Sequence, residues 1–151
     1  MTKLKVGGKA PDFKVNNQDG KAISLKDFKG KKLVLYFYPQ ANTPTCTVES
    51  CNLSDNYQFL QKAGYAVLGV SPDSETKQAG FKKKFGFPFD LLADIDQEVI
   101  QAYDVWGEKT TFGKTYMGLI RTTFIIDEKG KIEEIIEKVE SKNHANQILK
   151  K

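Results

Sequence analysis

Two cysteines, Cys46 and Cys51, are the only thiols in this chain, and they stand close together in Tyr38-Pro39-Gln40-Ala41-Asn42-Thr43-Pro44-Thr45-Cys46-Thr47-Val48-Glu49-Ser50-Cys51. The apolar run Leu33 to Tyr38 before them reads as a buried strand, and the stretch after Thr43 reads as a helix. Thr43 suits an N-cap and Pro44 the first helical position. Cys46 is then the third helical residue, where unpaired backbone N–H groups and the positive end of the helix dipole favour a thiolate. The thiolate is the reactive form of cysteine. The ordinary fate of a free cysteine is a small core residue. The cap, the proline and the second thiol just over one turn on favour a reactive cysteine with a local partner.

A second chemical signal is a single arginine. Of 23 Lys and Arg residues only Arg121 is an arginine, and it lies within Met117 to Ile126, otherwise read as an apolar strand. A planar donor fork holds anions and oxygens in fixed geometry, which a lysine cannot do. A semi-buried arginine also needs a partner, and thiolate would be favoured further were Arg121 to reach Cys46.

Other chemistries fit less well. Zinc wants about four ligands, and His144, the single histidine, stands alone near the C-terminus. That isolation also argues against a Cys-His hydrolase. Asp94 and Asp96 read as a helix cap and a solvated loop rather than a cation loop, and no Gly-rich phosphate loop follows a strand. The net charge is +4, and Lys31-Lys32 and Lys82-Lys83-Lys84 lack the aromatic interleaving of a nucleic-acid surface. The first residues carry no secretory pattern, and no segment approaches a membrane span. The expected compartment is the cytoplasm, where a close cysteine pair points to redox or metal chemistry rather than a structural staple.

The elements that must position these groups fit one domain, 1–151. Asn17-Gln18-Asp19-Gly20 predicts an N-terminal hairpin between Phe13–Val15 and Ala22–Leu25. Leu53, Tyr57 and Leu60 predict the buried stripe of the helix that begins at Thr43, with Ala63-Gly64 stopping it. Tyr65 to Val70 predicts a second buried strand and so a parallel βαβ unit. Asp73 or Ser74 caps a helix ending at Gly86, and Asp96 caps a short one with Val99, Ile100 and Tyr103. Leu119–Ile126 and Lys131–Ile136 predict an antiparallel hairpin, followed by a helix over Ser141–Leu149. The result is an α/β protein of thioredoxin-like fold, a mixed central sheet flanked by helices.

The spacing of the thiols has a mechanical consequence. In a continuous helix, residues five apart have Cα atoms about 8–9 Å apart and point to different faces. A disulfide requires roughly 4.4–6.8 Å. The two sulfurs can bond only if the first turn or two of the helix opens. The arrangement suits a cycle in which Cys46 reacts while folded and Cys51 captures the product. It is not the Cys-x-x-Cys of a general disulfide reductase. A redox-sensing protein that oxidises without turning over remains the alternative to an enzyme.

Tyr36-Phe37-Tyr38-Pro39 with Thr43-Pro44-Thr45-Cys46-Thr47-Val48-Glu49-Ser50-Cys51 resembles the active-site signature of the peroxiredoxins, most of all their bacterioferritin comigratory protein (PrxQ) subgroup. Pro39, Thr43 and Cys46 match the family's Pro-x3-Thr-x2-Cys. Lys9–Phe13, Tyr103–Lys109, Gly113–Gly118 and Arg121–Asp127 are also similar to that subgroup. The resemblance implies a thioredoxin-dependent peroxidase acting on hydrogen peroxide and organic hydroperoxides, without cofactor or metal and as a monomer. It implies that Cys46 is the peroxidatic cysteine, oxidised to a sulfenic acid, and Cys51 the resolving one, closing an intramolecular disulfide. Thr43 and Arg121 would hold the peroxide oxygens, Pro39 would shield the sulfenate, and Glu49 would take a positioning role. Thr45 departs from the subgroup's usual Gly, which predicts a tighter pocket or slower unwinding.

Overall fold

A computed structural model describes residues 2–150, the side chain of Thr111 excepted. The chain opens with a small antiparallel hairpin, β1 (Lys14–Asn16) and β2 (Ala22–Ser24), and a 3-10 turn at Leu25–Phe28. Then follow β3 (Lys32–Phe37), α1 (Pro44–Asp55), α2 (Tyr57–Lys62), β4 (Tyr65–Ser71), α3 (Glu75–Phe85), β5 (Asp90–Ala93) and α4 (Glu98–Ala102). A second hairpin pairs β6 (Trp106–Thr111) with β7 (Lys114–Leu119). The chain closes with β8 (Thr122–Ile126), β9 (Ile132–Ile136), a 3-10 turn at Ser141–Asn143 and α5 (His144–Leu149).

Five strands form the central sheet in the order β5-β4-β3-β8-β9. β3 pairs parallel with β4, and β4 with β5, while β8 runs antiparallel to both β3 and β9. The run Leu33–Phe37 is buried throughout because both sheet faces are covered. Leu33, Leu35, Phe37, Leu68, Val70 and Phe124 pack with Val99, Ile100 and Tyr103 on one face. Val34, Tyr36, Val67, Leu91 and Ile125 pack on the other with Leu53, Leu60, Phe81 and Ile148. The second layer carries the site, since Cys46 belongs to it.

Three expectations need correction. The apolar run through Arg121 is not one strand: β7 ends at Leu119 and β8 starts at Thr122. Ile120 N–H donates to Val105 O (2.6 Å), and Thr122 Oγ1 donates to Ile120 O (2.9 Å). These bonds fix the crossing from hairpin to central sheet and leave Arg121 outside both ladders. The cap of α4 is Asp94 rather than Asp96. Its carboxylate accepts Val99 N–H (3.2 Å) and Ile100 N–H (2.8 Å), with Gln97 left-handed at φ 58°. The helix expected to run to Ala63 is interrupted at Asn56, whose φ of −107° lies outside helical values. Of the two candidate caps for α3, Ser74 serves, accepting Lys77 N–H. Among the described residues no helix is long and apolar enough to cross a membrane.

Candidate active site

β3 delivers the chain to the site, and a bend at Pro39 and Gln40 turns it toward α1. The loop between is tied from beneath. Ala41 N–H donates to Asp73 Oδ2 (2.6 Å), which also accepts from Ser71 Oγ (2.7 Å). Gln78, fully buried, accepts from Tyr38 O–H (2.6 Å) and donates to Ser71 Oγ and Leu92 O. Asn42 takes the left-handed conformation at φ 64° just before the helix.

Thr43 stands at the N-cap position and Pro44 at the first helical position. The Thr43 hydroxyl does not cap the helix; it donates to Gln40 O at 3.1 Å. Its lone pairs and the first helical N–H groups are thereby left to face whatever approaches. Cys46, third in α1, is 1% exposed. Arg121 Nη2–H donates to Cys46 Sγ at 3.1 Å, while Nη1–H makes a charge-assisted bond to Glu49 Oε1. The fork thus spans two residues one helical turn apart on α1. This is the bridging geometry a planar guanidinium provides and an ammonium does not. The contact sets a permanent positive charge against the sulfur.

Glu49 is wholly buried. Burial raises its carboxyl from 4.5 to about 7 against the opposing pull of Arg121. Its second oxygen, Oε2, has no hydrogen-bond partner. Cys51 is half-buried further along α1, and both cysteines are free thiols in an unbroken helical segment. Burial, with Asp55 nearby, pushes the Cys51 thiol up. Thr45 points to solvent, so its side chain does not narrow the space at Cys46. Pro39 is half-buried at the end of β3.

Several residues around this centre carry no local sequence signal. Tyr36 O–H and Ser50 Oγ share a hydrogen bond (2.9 Å) under α1. His144, expected to stand apart, is fully buried, with Nε2 at 3.6 Å from Glu49 Oε2. Only the buried polarity of a lone histidine in an apolar helix face (Ala145, Ile148) could have hinted at it. No group of three metal-ligating side chains occurs among the described residues.

Known proteins resemble this chain along nearly its whole length. Residues 6–135 match the AhpC/TSA family model. Peroxiredoxin Bcp of Escherichia coli K12 is 45% identical over 149 residues, covering 99% of this chain and 96% of that protein. Peroxiredoxin Bcp of Bacillus subtilis is 42% identical over 146 residues, covering 97% and 93%. Among solved structures, a cysteine-to-serine mutant of Xylella fastidiosa PrxQ superposes with a TM-score of 0.91 at 30% identity, covering 99% and 96%. The Xanthomonas campestris bacterioferritin comigratory protein, studied for alkyl peroxide reduction, gives 0.87 at 33% identity with the same coverage. The thioredoxin-like arrangement of a five-stranded mixed sheet between helices is therefore shared with these peroxiredoxins, and the chain belongs to the AhpC/TSA family, among the peroxiredoxins of the Bcp and PrxQ kind.

Proposed function

We propose that this thiol peroxidase reduces hydrogen peroxide and organic hydroperoxides with Cys46 as nucleophile and Cys51 as resolving thiol. The observation that carries the assignment is the Arg121 fork, bonded at once to Cys46 Sγ and Glu49 at the start of α1. The Cys46 thiolate attacks the terminal peroxide oxygen. An S–O bond forms, the O–O bond breaks, and the departing alkoxide or hydroxide takes up a proton. Arg121 faces the developing charge, and the Thr43 hydroxyl, whose lone pairs are free, accepts from the peroxide O–H. Pro39 shields the sulfenic acid, and Glu49 orients the fork.

Resolution follows when the start of α1 unwinds. The Cys51 sulfur displaces water from the Cys46 sulfenic acid and closes an intramolecular disulfide. A dithiol of the thioredoxin type then restores both thiols by exchange. The half-buried, raised Cys51 thiol supports this order, since it is a poor nucleophile until released. The activity toward alkyl peroxides studied in the Xanthomonas relative supports the organic hydroperoxide. We read the chain as one domain, 1–151, acting as a monomer in the cytoplasm without metal or cofactor. The test is steady-state peroxide consumption with a thioredoxin system. Wild type turns over, Cys46→Ser does not, and Cys51→Ser turns over only with an added small thiol. Wild-type turnover in Cys46→Ser would remove the assignment.

A further inference from the structure

Behind the Arg121–Glu49 pair stands a side chain that the peroxidase chemistry does not use. His144 opens α5, and Asn52 of α1 holds that helix start in place: Asn52 Oδ1 accepts Ala145 N–H (2.8 Å) and Asn52 Nδ2 donates to Lys142 O (2.9 Å). The docking brings His144 Nε2 to 3.6 Å from Glu49 Oε2, the buried oxygen that has no hydrogen-bond partner. An unpartnered carboxylate oxygen in a dry site is costly. The His144 ring nitrogen facing it can carry a proton.

The hydrogen-bond pattern fixes which nitrogen is free to do so. Gln147 Nε2 donates to Lys138 O (2.9 Å), and Gln147 Oε1 accepts Glu140 N–H (2.9 Å). Oε1 therefore faces His144 Nδ1 at 2.7 Å as an acceptor, and Nδ1 carries the hydrogen. In the neutral ring Nε2 is then a lone pair, accepting from Thr123 O–H at 2.7 Å. A proton added at Nε2 reverses the Thr123 hydroxyl, which then accepts from Nε2–H, and sets a positive ring 3.6 Å from Glu49 Oε2.

We propose that His144 is a positioning residue of the peroxidase site, its charge coupled to that of Glu49 across the 3.6 Å between Nε2 and Oε2 and so governing how firmly Glu49 holds the Arg121 fork against Cys46. The proposal rests on the peroxidase assignment above. The groups facing the pair come from every element around it. They are Cys46 and Ser50 on α1, Tyr36 on β3, Arg121 between β7 and β8, Thr123 on β8, and Gln147 on α5. Burial and the nearby Arg121 hold the imidazole below its ordinary range, and burial holds the Glu49 carboxyl above its own. The two groups are thus brought into overlapping ranges, where the charge on one bears on the charge of the other. With the proton on the imidazole, Glu49 stays an anion and anchors Arg121. Without the imidazole that support is lost, and Glu49 takes up a proton at higher pH and loosens the fork.

The test is the pH profile of peroxide attack on the reduced protein, followed by stopped flow. The proteins are wild type, His144→Phe and His144→Gln, each with and without Glu49→Gln. His144→Phe is expected to move the acid limb up by about one pH unit, on the order of tenfold in rate on that limb. His144→Gln, whose amide N–H can still reach the carboxylate, should recover most of the plateau rate without the original limb. In the Glu49→Gln background neither substitution should move the limb. A limb unmoved by His144→Phe, or a shift that persists in the Glu49→Gln background, overturns the proposal. Nitrogen NMR of the single histidine supplies a second readout that needs no peroxide and no change at His144. The Nδ1–H tautomer should dominate, and Glu49→Gln should lower the imidazole titration midpoint. An unchanged midpoint also overturns the proposal. Failure of the peroxidase assignment itself would instead show as wild type consuming no peroxide.

Discussion

At Arg121 one side chain does two geometric tasks, and the two are separable by substitution. Its fork reaches Cys46 Sγ with one nitrogen and Glu49 with the other. Arg121→Lys keeps the charge but can satisfy only one partner at a time, so peroxide attack should slow by about 10²–10³, the usual loss for a preorganised donor at developing charge. Arg121→Ala, which removes both donors, should slow attack at least as much, read by stopped flow with excess peroxide. Wild-type rates in both variants would remove Arg121 from the site. The placement of Thr43, Pro44, Cys46 and Cys51 at the start of one helix was legible in the sequence because it is local: an N-cap residue type, a proline and two thiols in one short run. Arg121 was legible because it is the one exception among 23 basic residues. His144, Asp73 and Gln78 were not, because each reaches the site by tertiary contact, from elements far along the chain.

At the scale of elements, α1 must be both a platform and a hinge. Its first turn presents Cys46, yet its continuity from Pro44 to Asp55 keeps Cys51 from bonding. Disulfide formation should therefore strip hydrogen-exchange protection from the segment around Cys46 to Asn56 while the strands of the central sheet stay protected. An oxidised form with that segment fully protected would contradict the hinge. Beneath α1, β4 contributes a fixed constraint. A Cβ at Gly69 would come within 2.9 Å of the Tyr36 ring and 2.7 Å of Leu91 Cδ2. Gly69→Ala should cost about 1–3 kcal/mol in thermal or denaturant unfolding by overpacking, and should disturb the Tyr36–Ser50 bond under the helix. Most elements followed from hydrophobic period and caps. The β6–β7 hairpin did not, since its two-residue turn is Phe112-Gly113, both with positive φ (53° and 76°). A phenylalanine in that conformation is not a turn signal. The break at Ile120–Arg121 was hidden because an apolar run carries no mark of where one ladder hands over to another.

For the whole molecule, the buried carboxyl and imidazole give stability a pH signature whose two parts oppose each other. Glu49 is raised from 4.5 to about 7 in the folded protein, so the fold binds an extra proton there and its contribution is lost as pH rises through that window. His144 is lowered from 6.5, so the unfolded chain binds the extra proton and stability is lost as pH falls below that value. In wild type the two slopes oppose each other. Glu49→Gln removes the first and exposes the second. Its stability relative to wild type should rise by about 3 kcal/mol between the two ends of the Glu49 window, and its own curve should fall more steeply on acidification. Parallel denaturant curves across that range would refute the Glu49 shift. The central claim concerns the two thiols, and one measurement bears on it most directly. The reduced protein receives one equivalent of hydrogen peroxide and is analysed by non-reducing mass spectrometry. The predicted product is a single-chain species with both thiols consumed and a Cys46–Cys51 bond, while Cys51→Ser stops at a Cys46 sulfenic acid. A product linked between chains, or Cys46→Ser consuming peroxide at the wild-type rate, would contradict the account.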